Sequence, residues 1–304
     1  MMRKWLYYII LFLLMPTACN KSIEIDVPSQ TPVLVLNAQW QQSQLFSLRL
    51  TRSRGINDPV DTGSNLIRTY EIKNAFITIK QNNVVIDTLK YDSLNFRYIN
   101  KTKKTIIGNT YQVDAAVPSY SSISAVSPLN SLMTISNTQL KRAIGYNSYG
   151  DLIDQISFSF IDNSSSTDYY LIRIHKSDGN YADCIGTTDT DFEKMIFNSP
   201  YTTETCIDGN KLLLSDQNFN GQTKKIVVTI ATNQMDISYI PGKTRRPYIE
   251  LLHITEDYFK YIKSYNDYDI SSLNPFAEPT NVYKNVKNGY GFFTAFSIAT
   301  DTLR

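Results

Sequence analysis

Short stretches in which apolar and polar residues alternate recur through most of the chain, and they constrain its fold more than any other feature. Phe46, Leu48 and Leu50 alternate with Ser47 and Arg49. Side chains of a β-strand point to opposite faces in turn, so this period of two is typical of a strand with one buried face. Clusters of Asn, Asp, Gly, Ser and Pro separate the stretches. The sequence therefore predicts an all-β protein with a β-sandwich architecture.

The same pattern places the individual strands. We expect the strand at 168–175 to pair with the strand at 152–161, and the polar stretch at 139–150 to lie outside the strands. The turn at 81–83, rich in residues that tolerate positive φ, should close a hairpin. Strands are predicted at 31–40, 44–52, 75–80, 84–89, 96–99, 105–107, 110–117, 123–126, 132–135, 152–161, 168–175, 211–214, 225–231, 248–254 and 292–298.

One amphipathic helix is predicted near the C-terminus, over residues 255–268. Thr255 can cap its N-terminus, and Tyr258, Ile262 and Tyr265 follow at helical spacing. We interpret it as a helix that covers one face of a sandwich. The alternative is that its tyrosines form a platform for a ligand.

A stretch rich in Ser and Pro, residues 118–130, offers the best domain boundary. We predict a leader at 1–18, a first β-sandwich domain at 19–128 and a second one, which carries the helix, at 129–304. Both domains would have ordinary sizes.

The first eighteen residues have the layout of a secretory signal. Arg3 and Lys4 precede an uninterrupted apolar run of 11 residues, Trp5 to Met15. A run of this length is too short to span a bilayer, which takes about 20 apolar residues.

Cys19 follows small residues and looks like the cysteine of a bacterial lipobox, where the thiol receives a diacylglycerol. Pro16 departs from the Leu that usually stands three positions before this cysteine. The alternative is an ordinary signal peptide cleaved after Ala18, with Cys19 incidental. Two or more acyl chains, palmitate among them, would anchor the protein stably to a membrane.

Charge and composition exclude several classes of protein. Lys and Arg number 30 and Asp and Glu 28, so without Arg3 and Lys4 the chain is formally neutral. Nucleic acid is therefore not expected as a partner, because its phosphates require a cationic field. Aromatic residues make up 12% of the chain, which is too many for a disordered protein.

Cys184 and Cys206 are the two thiols that remain if Cys19 is acylated. In an exported protein an even pair suggests a disulfide, which would contribute roughly 3 kcal/mol in the chain-entropy description. The alternative is a pair of buried free thiols.

A weak calcium loop is a further candidate. Asp216, Asn218, Asn220 and Gly221 match positions 1, 3, 5 and 6 of an EF-hand loop, but Val227 stands where the bidentate Glu belongs. The alternative is an Asx-type turn between strands.

The chain offers few other groups for chemistry. His175 and His253 lie in separate predicted strands without zinc-site spacing, so we expect no metal and no cofactor. Gly289-Tyr290-Gly291 begins like a dinucleotide fingerprint, but no βαβ unit fits and a turn into the last strand is expected. A glycosidase needs two carboxylates about 5–9.5 Å apart, which sequence does not reveal. The acids available for such a pair include Asp162, Asp168, Asp189, Asp191 and Glu193.

With these segments in view, the chain resembles DUF4249, a family of Bacteroidetes lipoproteins of unknown function. The last cluster of shared motifs is the most distinctive. The segments that carry the resemblance are Glu24–Pro28 after Cys19, Phe160 and Asp162 before Asp168–Tyr170, Asp216 before Phe219–Gly221, Glu250–Leu252 before Tyr258–Tyr261, then Asn274–Pro279, Val282–Tyr283, Asn285 and Asn288–Phe293.

The resemblance implies an exported β protein anchored through Cys19 in the outer membrane, with the membrane face left open. Its first unit looks like the immunoglobulin-like domains attached to outer-membrane receptors. Members of the family are often encoded beside TonB-dependent receptors. No catalytic residues are established for the family, so Cys19 alone carries over.

Two functional hypotheses follow. The first is a non-enzymatic accessory lipoprotein of the cell envelope that associates with a TonB-dependent receptor. The second is direct binding of a glycan or peptide through exposed aromatic side chains, since the chain contains 21 Tyr. A hydrolase is a third hypothesis, and it requires two acids beside a cleft.

Overall fold

A computed structural model describes residues 31–55, 58, 66–147, 150–193, 195, 206–235, 246–272, 276–278 and 280–303. The chain divides into a small unit, Met1–Thr31 with Gly55–Val60, and a large unit, Pro32–Arg54 with Asp61–Arg304. In the small unit the backbone N–H of Gly55 donates to the carboxylate of Asp58 at 3.1 Å. The elements that follow all lie in the large unit.

Strands dominate the described residues, with few helices between them. The strands are β1 Leu34–Gln41, β2 Leu45–Arg52, β3 Phe76–Gln81, β4 Val84–Asp92, β5 Arg97–Lys104, β6 Thr110–Ala116, β7 Ile123–Pro128, β8 Ser136–Tyr146, β9 Leu152–Ile161, β10 Tyr169–His175, β11 Ile185–Gly186, β12 Leu212–Ser215, β13 Thr223–Ala231, β14 Tyr248–Ile254 and β15 Tyr290–Thr302. The helices are α1 Leu66–Tyr70, α2 Thr232–Met235 and α3 Glu256–Ser272, with a 3-10 turn at Asp216–Asn218.

The strands form two sheets. The larger has the order β12-β10-β14-β15-β1-β2-β5-β4-β3-β6-β7, and the smaller has the order β11-β13-β9-β8. Neighbouring strands pair antiparallel except β1 and β15, which run parallel with Leu36 opposite Gly291. The last strand of the chain is therefore inserted beside the first.

The large sheet curls so that β7 returns to β15. The backbone N–H of Ala295 donates to Ser127 Oγ at 2.8 Å, and Lys287 and Ser124 exchange backbone hydrogen bonds. The strands from β1 to β7 thus enclose a core with β15.

Two hydrophobic cores result, and β15 contributes to both. An N-terminal core gathers apolar residues of 34–129, and a C-terminal core gathers those of 133–303, between the small sheet and β10, β12 and β14. Phe293 and Ala295 belong to the N-terminal core, whereas Phe292 and Phe296 belong to the C-terminal core. The predicted domain boundary at 128/129 stays a prediction.

Helix α3 covers part of the C-terminal core. Its N-terminus is capped as predicted, because Thr255 Oγ1 accepts the backbone N–H of Tyr258 at 3.2 Å. The rings of Tyr258 and Tyr261 lie 5.6 and 4.2 Å from that of Phe292. The aromatic face of the helix is therefore largely used to pack it on β15.

The all-β prediction and the C-terminal helix are confirmed. The hairpin β3–β4 forms at the predicted turn, with Asn82 and Asn83 at φ 49° and 68°. The helix continues four residues beyond the predicted end at 268.

Two predictions about the arrangement of the strands are wrong. β10 pairs with β12 and β14 rather than with β9, which lies in the small sheet. The polar stretch predicted to lie outside the strands contains most of β8, an edge strand whose exposed residues need no apolar pattern.

Two short predicted strands are also absent from the described residues. Residues 105–107 follow β5, which runs through the polar residues up to Lys104. Residues 132–135 run as coil. Just before them the Ser131 carbonyl accepts the hydroxyl of Ser297 at 2.7 Å, so side chains and not a neighbouring strand satisfy the backbone there.

Among the residues placed above, no helix has both the length and the apolar character needed to cross a membrane.

Candidate functional site

A cleft of about 910 Å³ lies between α3 and the segment that leads into β15. We call it the aromatic cleft. It combines four aromatic rings with three lysines and two acids. Its lining residues are Tyr169, Glu256, Phe259, Lys260, Lys263, Ser264, Asp267, Asn281, Val282, Tyr283, Lys284 and Tyr290.

Hydrogen bonds hold the far wall of the cleft against α3. The hydroxyl of Tyr283 donates to Asp257 Oδ1 at 2.5 Å, and its backbone N–H donates to Ser264 Oγ at 2.7 Å. The side chain of Asn285 pairs with both backbone groups of Phe293 and also reaches Asp257. The wall is therefore preorganised by the helix and by β15.

The charges of the aromatic cleft are partly paired. Lys260 contacts Glu256 and Lys263 contacts Glu193, each at 2.8 Å. Lys284 lies over the ring of Tyr290, 4.2 Å from its centroid. Such a surface can stack on a flat ligand and donate hydrogen bonds to it.

Burial, together with the hydrogen bond to Asp257, raises the pKa of Tyr283 to about 12. The phenol therefore stays protonated at neutral pH. It remains a donor to Asp257, which keeps the wall in place.

A second, polar cleft of about 580 Å³ adjoins the first at Tyr169 and Glu256. Asp168 and His253 lie in its lining. His253 Nε2 is 3.0 Å from Asp168 Oδ1, and its Nδ1 is 3.0 Å from the Ser131 carbonyl. Both ring nitrogens thus face acceptors.

Three buried carboxylates meet behind this polar cleft. One oxygen each of Asp162, Asp168 and Asp216 lies within 4.8 Å of the others. Asp162 accepts the hydroxyl of Tyr170 and the backbone N–H of Gly221, the latter at 2.7 Å. Such bonds tie the loop after β9 to the turn before β13.

The other two carboxylates are also bonded within the protein. Asp168 accepts the hydroxyl of Ser166 at 3.0 Å as well as facing His253, and its backbone N–H donates to Asp216 at 2.9 Å. Burial, with the neighbouring carboxylates, raises the pKa of Asp216. This arrangement is typical of a structural polar network.

The predicted calcium-loop residues point to separate partners. Asp216 turns inward to Asp168, while the Asn218 amide donates to Asp191 and the Asn220 amide to the Ser166 carbonyl. These side chains are thus bonded within the protein, and the weak calcium loop stays a prediction.

The remaining candidate residues lie in different places. Asp189 and Asp191 both pair with Lys224, at 2.8 and 2.5 Å, and His175 contacts Glu250 at 3.1 Å. The two acids are used in ion pairs with Lys224 and His175 in its contact with Glu250, and none of them forms one site with Asp168.

Cys184 and Cys206 are joined by a disulfide, with their Cα atoms 5.3 Å apart. Cys19 lies outside the described residues.

Sequence reasoning missed the aromatic cleft. Tyr258 and Tyr265 drew attention to the helix, yet Tyr258 is buried and the cleft is completed by Tyr169, Tyr283 and Tyr290 from other segments. Those segments meet only through tertiary structure. The motif residues Tyr283 and Asn285 were the available signal.

Fold and clefts together define an all-β protein with a helix-walled aromatic cleft. A model of the family described as a domain of unknown function (DUF4249) matches residues 20–302, and the chain belongs to that family. A search of curated proteins finds no match.

Proposed function

We propose that this chain is a lipid-anchored, non-enzymatic binding protein of the cell envelope that assists a TonB-dependent receptor in the outer membrane. Anchoring is supported by the charged head, the short apolar run and Cys19. A receptor partner is supported by the resemblance to lipoproteins that are often encoded beside such receptors.

The observation that carries the binding function is the aromatic cleft. Tyr290 is 52% exposed and lies beside Lys284, so ring and cation are both accessible on a wall fixed by Asp257. Exposed aromatic and cationic side chains on a rigid support are typical of recognition surfaces.

Anchoring is tested by metabolic labelling of the full chain with a palmitate analogue. We expect the wild type to be labelled and Cys19→Ala to be unlabelled and released from membranes. A double variant, Cys184→Ala with Cys206→Ala, is the control and should keep the label. An unlabelled wild type would contradict the anchor.

The partner is tested by purifying the tagged full chain from gently solubilised membranes. We expect a TonB-dependent receptor to co-purify, and Tyr290→Ala with Lys284→Ala to reduce its yield. Tyr146→Ala is the matched control, because Tyr146 is 73% exposed on β8. Clean isolation of the wild type without a receptor would count against the proposal.

The second candidate function is direct binding of a glycan or peptide in the aromatic cleft. It is favoured by the ring faces in the lining, which can stack on sugar rings or peptide planes. On a glycan and peptide array we expect a ligand whose affinity falls roughly tenfold in Tyr290→Ala. If no glycan or peptide on the array binds at high protein concentration, this second candidate function is wrong.

A further inference from the structure

Aliphatic side chains are exposed at one end of the N-terminal part of the large sheet. Val84 and Val85 open β4 and are 66% and 55% exposed, and Ile106 is 58% exposed. Ile107 and Leu45 are also exposed. Exposed aliphatic residues scattered singly need no explanation, but a group of them does.

Hydrogen bonds show that the loops carrying these residues are neighbours. The amide of Asn82 donates to Asn109 at 2.7 Å, and the backbone N–H of Thr110 donates back to Asn82 at 2.9 Å. The backbone N–H of Thr105 donates to the Gln44 carbonyl at 2.9 Å. The turns at 42–45, 81–86 and 104–109 therefore form one end of the molecule's large unit.

Three exposed lysines adjoin the same end. Lys101, Lys103 and Lys104 close β5, and Lys104 is the cross-strand neighbour of Leu45. Lys103 Nζ donates to the carbonyl of Ile86, which places it next to Val85. Two acids are neighbours of these lysines: Asp87, whose carboxylate accepts the Asn100 amide at 2.9 Å, and Asp92, which interacts electrostatically with Lys101.

We propose that this lysine–aliphatic surface, made of Leu45, Val84, Val85, Ile106, Ile107, Lys101, Lys103 and Lys104, binds an anionic lipid bilayer. Aliphatic side chains at a protein tip can enter the headgroup region, and each nearby lysine is attracted by anionic phospholipid. A fluid bilayer needs no matching shape, so it suits side chains that project from several turns. Charge complementarity thus selects an anionic bilayer over a neutral one.

The position of this surface is compatible with an acylated Cys19. The described chain enters β1 at Leu34, and the lysine–aliphatic surface lies at the other end of that eight-residue strand, about 26 Å away. The 14 residues between Cys19 and Leu34 can span at most about 50 Å, whatever their conformation. The inference goes beyond the proposed function and does not depend on the anchor.

The experiment uses the full chain on vesicles with an environment-sensitive fluorophore at position 84, introduced as Val84→Cys. The unsubstituted chain, treated alike, corrects for label at Cys19. With brominated phosphatidylglycerol we expect a blue shift and strong quenching, and with brominated phosphatidylcholine little of either. The same fluorophore at Tyr146→Cys is the matched control and should stay unquenched.

The lysines are tested in the Val84→Cys chain. Lys101→Gln, Lys103→Gln and Lys104→Gln together should weaken the contact roughly a hundredfold and abolish most of the quenching. Lys141→Gln, Lys225→Gln and Lys287→Gln remove the same charge from exposed positions elsewhere, and this control triple variant should keep the quenching at position 84.

Equal quenching at positions 84 and 146, or an equal loss in both triple variants, would overturn the inference. Flotation of the chain with vesicles measures anchoring separately. A chain that floats through acylated Cys19 without quenching at position 84 contradicts this inference and leaves the proposed function standing. Quenching at position 84 in a chain without acylation supports this inference and contradicts the lipid anchor of the proposed function.

Discussion

Asp154 is a fully buried acid whose role is set by its three donors. It accepts Arg142 Nη1 at 2.6 Å, the backbone N–H of Ala143 at 2.9 Å and Thr232 Oγ1 at 2.7 Å. Ala143 has φ 53° and lies where the register of β8 against β9 shifts. The carboxylate therefore stabilises a bulge in an edge strand.

Asp154→Asn should destabilise the protein by about 2–3 kcal/mol at pH 7, because the amide loses charge-assisted bonds and turns an NH₂ group toward a donor. Burial opposes ionisation, but the three donors outweigh it and lower the pKa of Asp154. Its contribution to stability is therefore present above the ordinary carboxyl pKa and is lost as the pH falls through the lowered value.

Urea unfolding at a series of pH values measures this effect. The difference between wild type and Asp154→Asn should be largest near neutrality and shrink below about pH 4. Asp269→Asn, at an exposed position on α3, should change stability by less than about 0.5 kcal/mol. A pH-independent difference would refute the electrostatic explanation.

The sequence indicates that Asp154 is buried, because its position in the strand places it on the same face as the apolar residues. Ile156, Phe158 and Phe160 mark the core-facing residues of β9, and Asp154 falls in the same phase. An acid among core-facing residues indicates a buried partner. The partner itself, Arg142, lies on a strand that the apolar pattern did not reveal.

At the scale of elements, the alternation of apolar and polar residues located the strands that have a buried face. It did not locate β8, the edge strand of the small sheet. β1, β2 and β9 were predicted because their buried positions alternate or are nearly continuous, which leaves a matching pattern of apolar residues in the sequence. β8 was missed because most of its residues are exposed. Which strands pair was also not readable, since β10 lies next to β14, about 80 residues away along the chain.

Gly291 fixes the start of β15 and gives the element-scale prediction. It has φ +100°, and a Cβ there would lie 2.0 Å from the Leu36 carbonyl oxygen across the parallel pair. Gly291→Ala should cost on the order of 3 kcal/mol, from backbone strain and from separation of β1 and β15. Thermal unfolding followed by circular dichroism measures the loss.

Gly145→Ala is the matched control for this change. Gly145 lies in β8 with open space around its Cα, so the substitution should change stability by less than about 1 kcal/mol. Equal stability of the two alanine variants would show that the close approach at Gly291 does not matter.

For the whole molecule, the alternation of apolar and polar residues predicted an all-β protein, whereas the aromatic cleft could be found only in the folded chain. Tyr169, Phe259 and Tyr283 come from β10, α3 and the segment before β15. Their approach depends on the insertion of β15 between β1 and β14, a long-range pairing that no local pattern specifies.

That insertion also decides whether the two cores unfold together. Phe293 packs against Trp40 in the N-terminal core, with ring centroids 4.6 Å apart, while Phe292 on the same strand packs against Tyr261 in the C-terminal core. Because one strand serves both cores, loss of the C-terminal core should remove a wall of the N-terminal core. We therefore expect a single cooperative transition.

The test removes buried volume from one core and observes the other. Leu252 is fully buried on β14 in the C-terminal core, and Leu252→Ala should cost about 2–5 kcal/mol. In a Trp5→Phe background Trp40 is the single tryptophan, and its fluorescence reports the N-terminal core.

The urea midpoint from Trp40 fluorescence should fall together with the midpoint from circular dichroism. Leu94→Ala, at a position 86% exposed, should move neither. A Trp40 transition that stays in place while circular dichroism becomes biphasic would mean that the two cores unfold as independent domains, because β15 can then leave one core without disrupting the other.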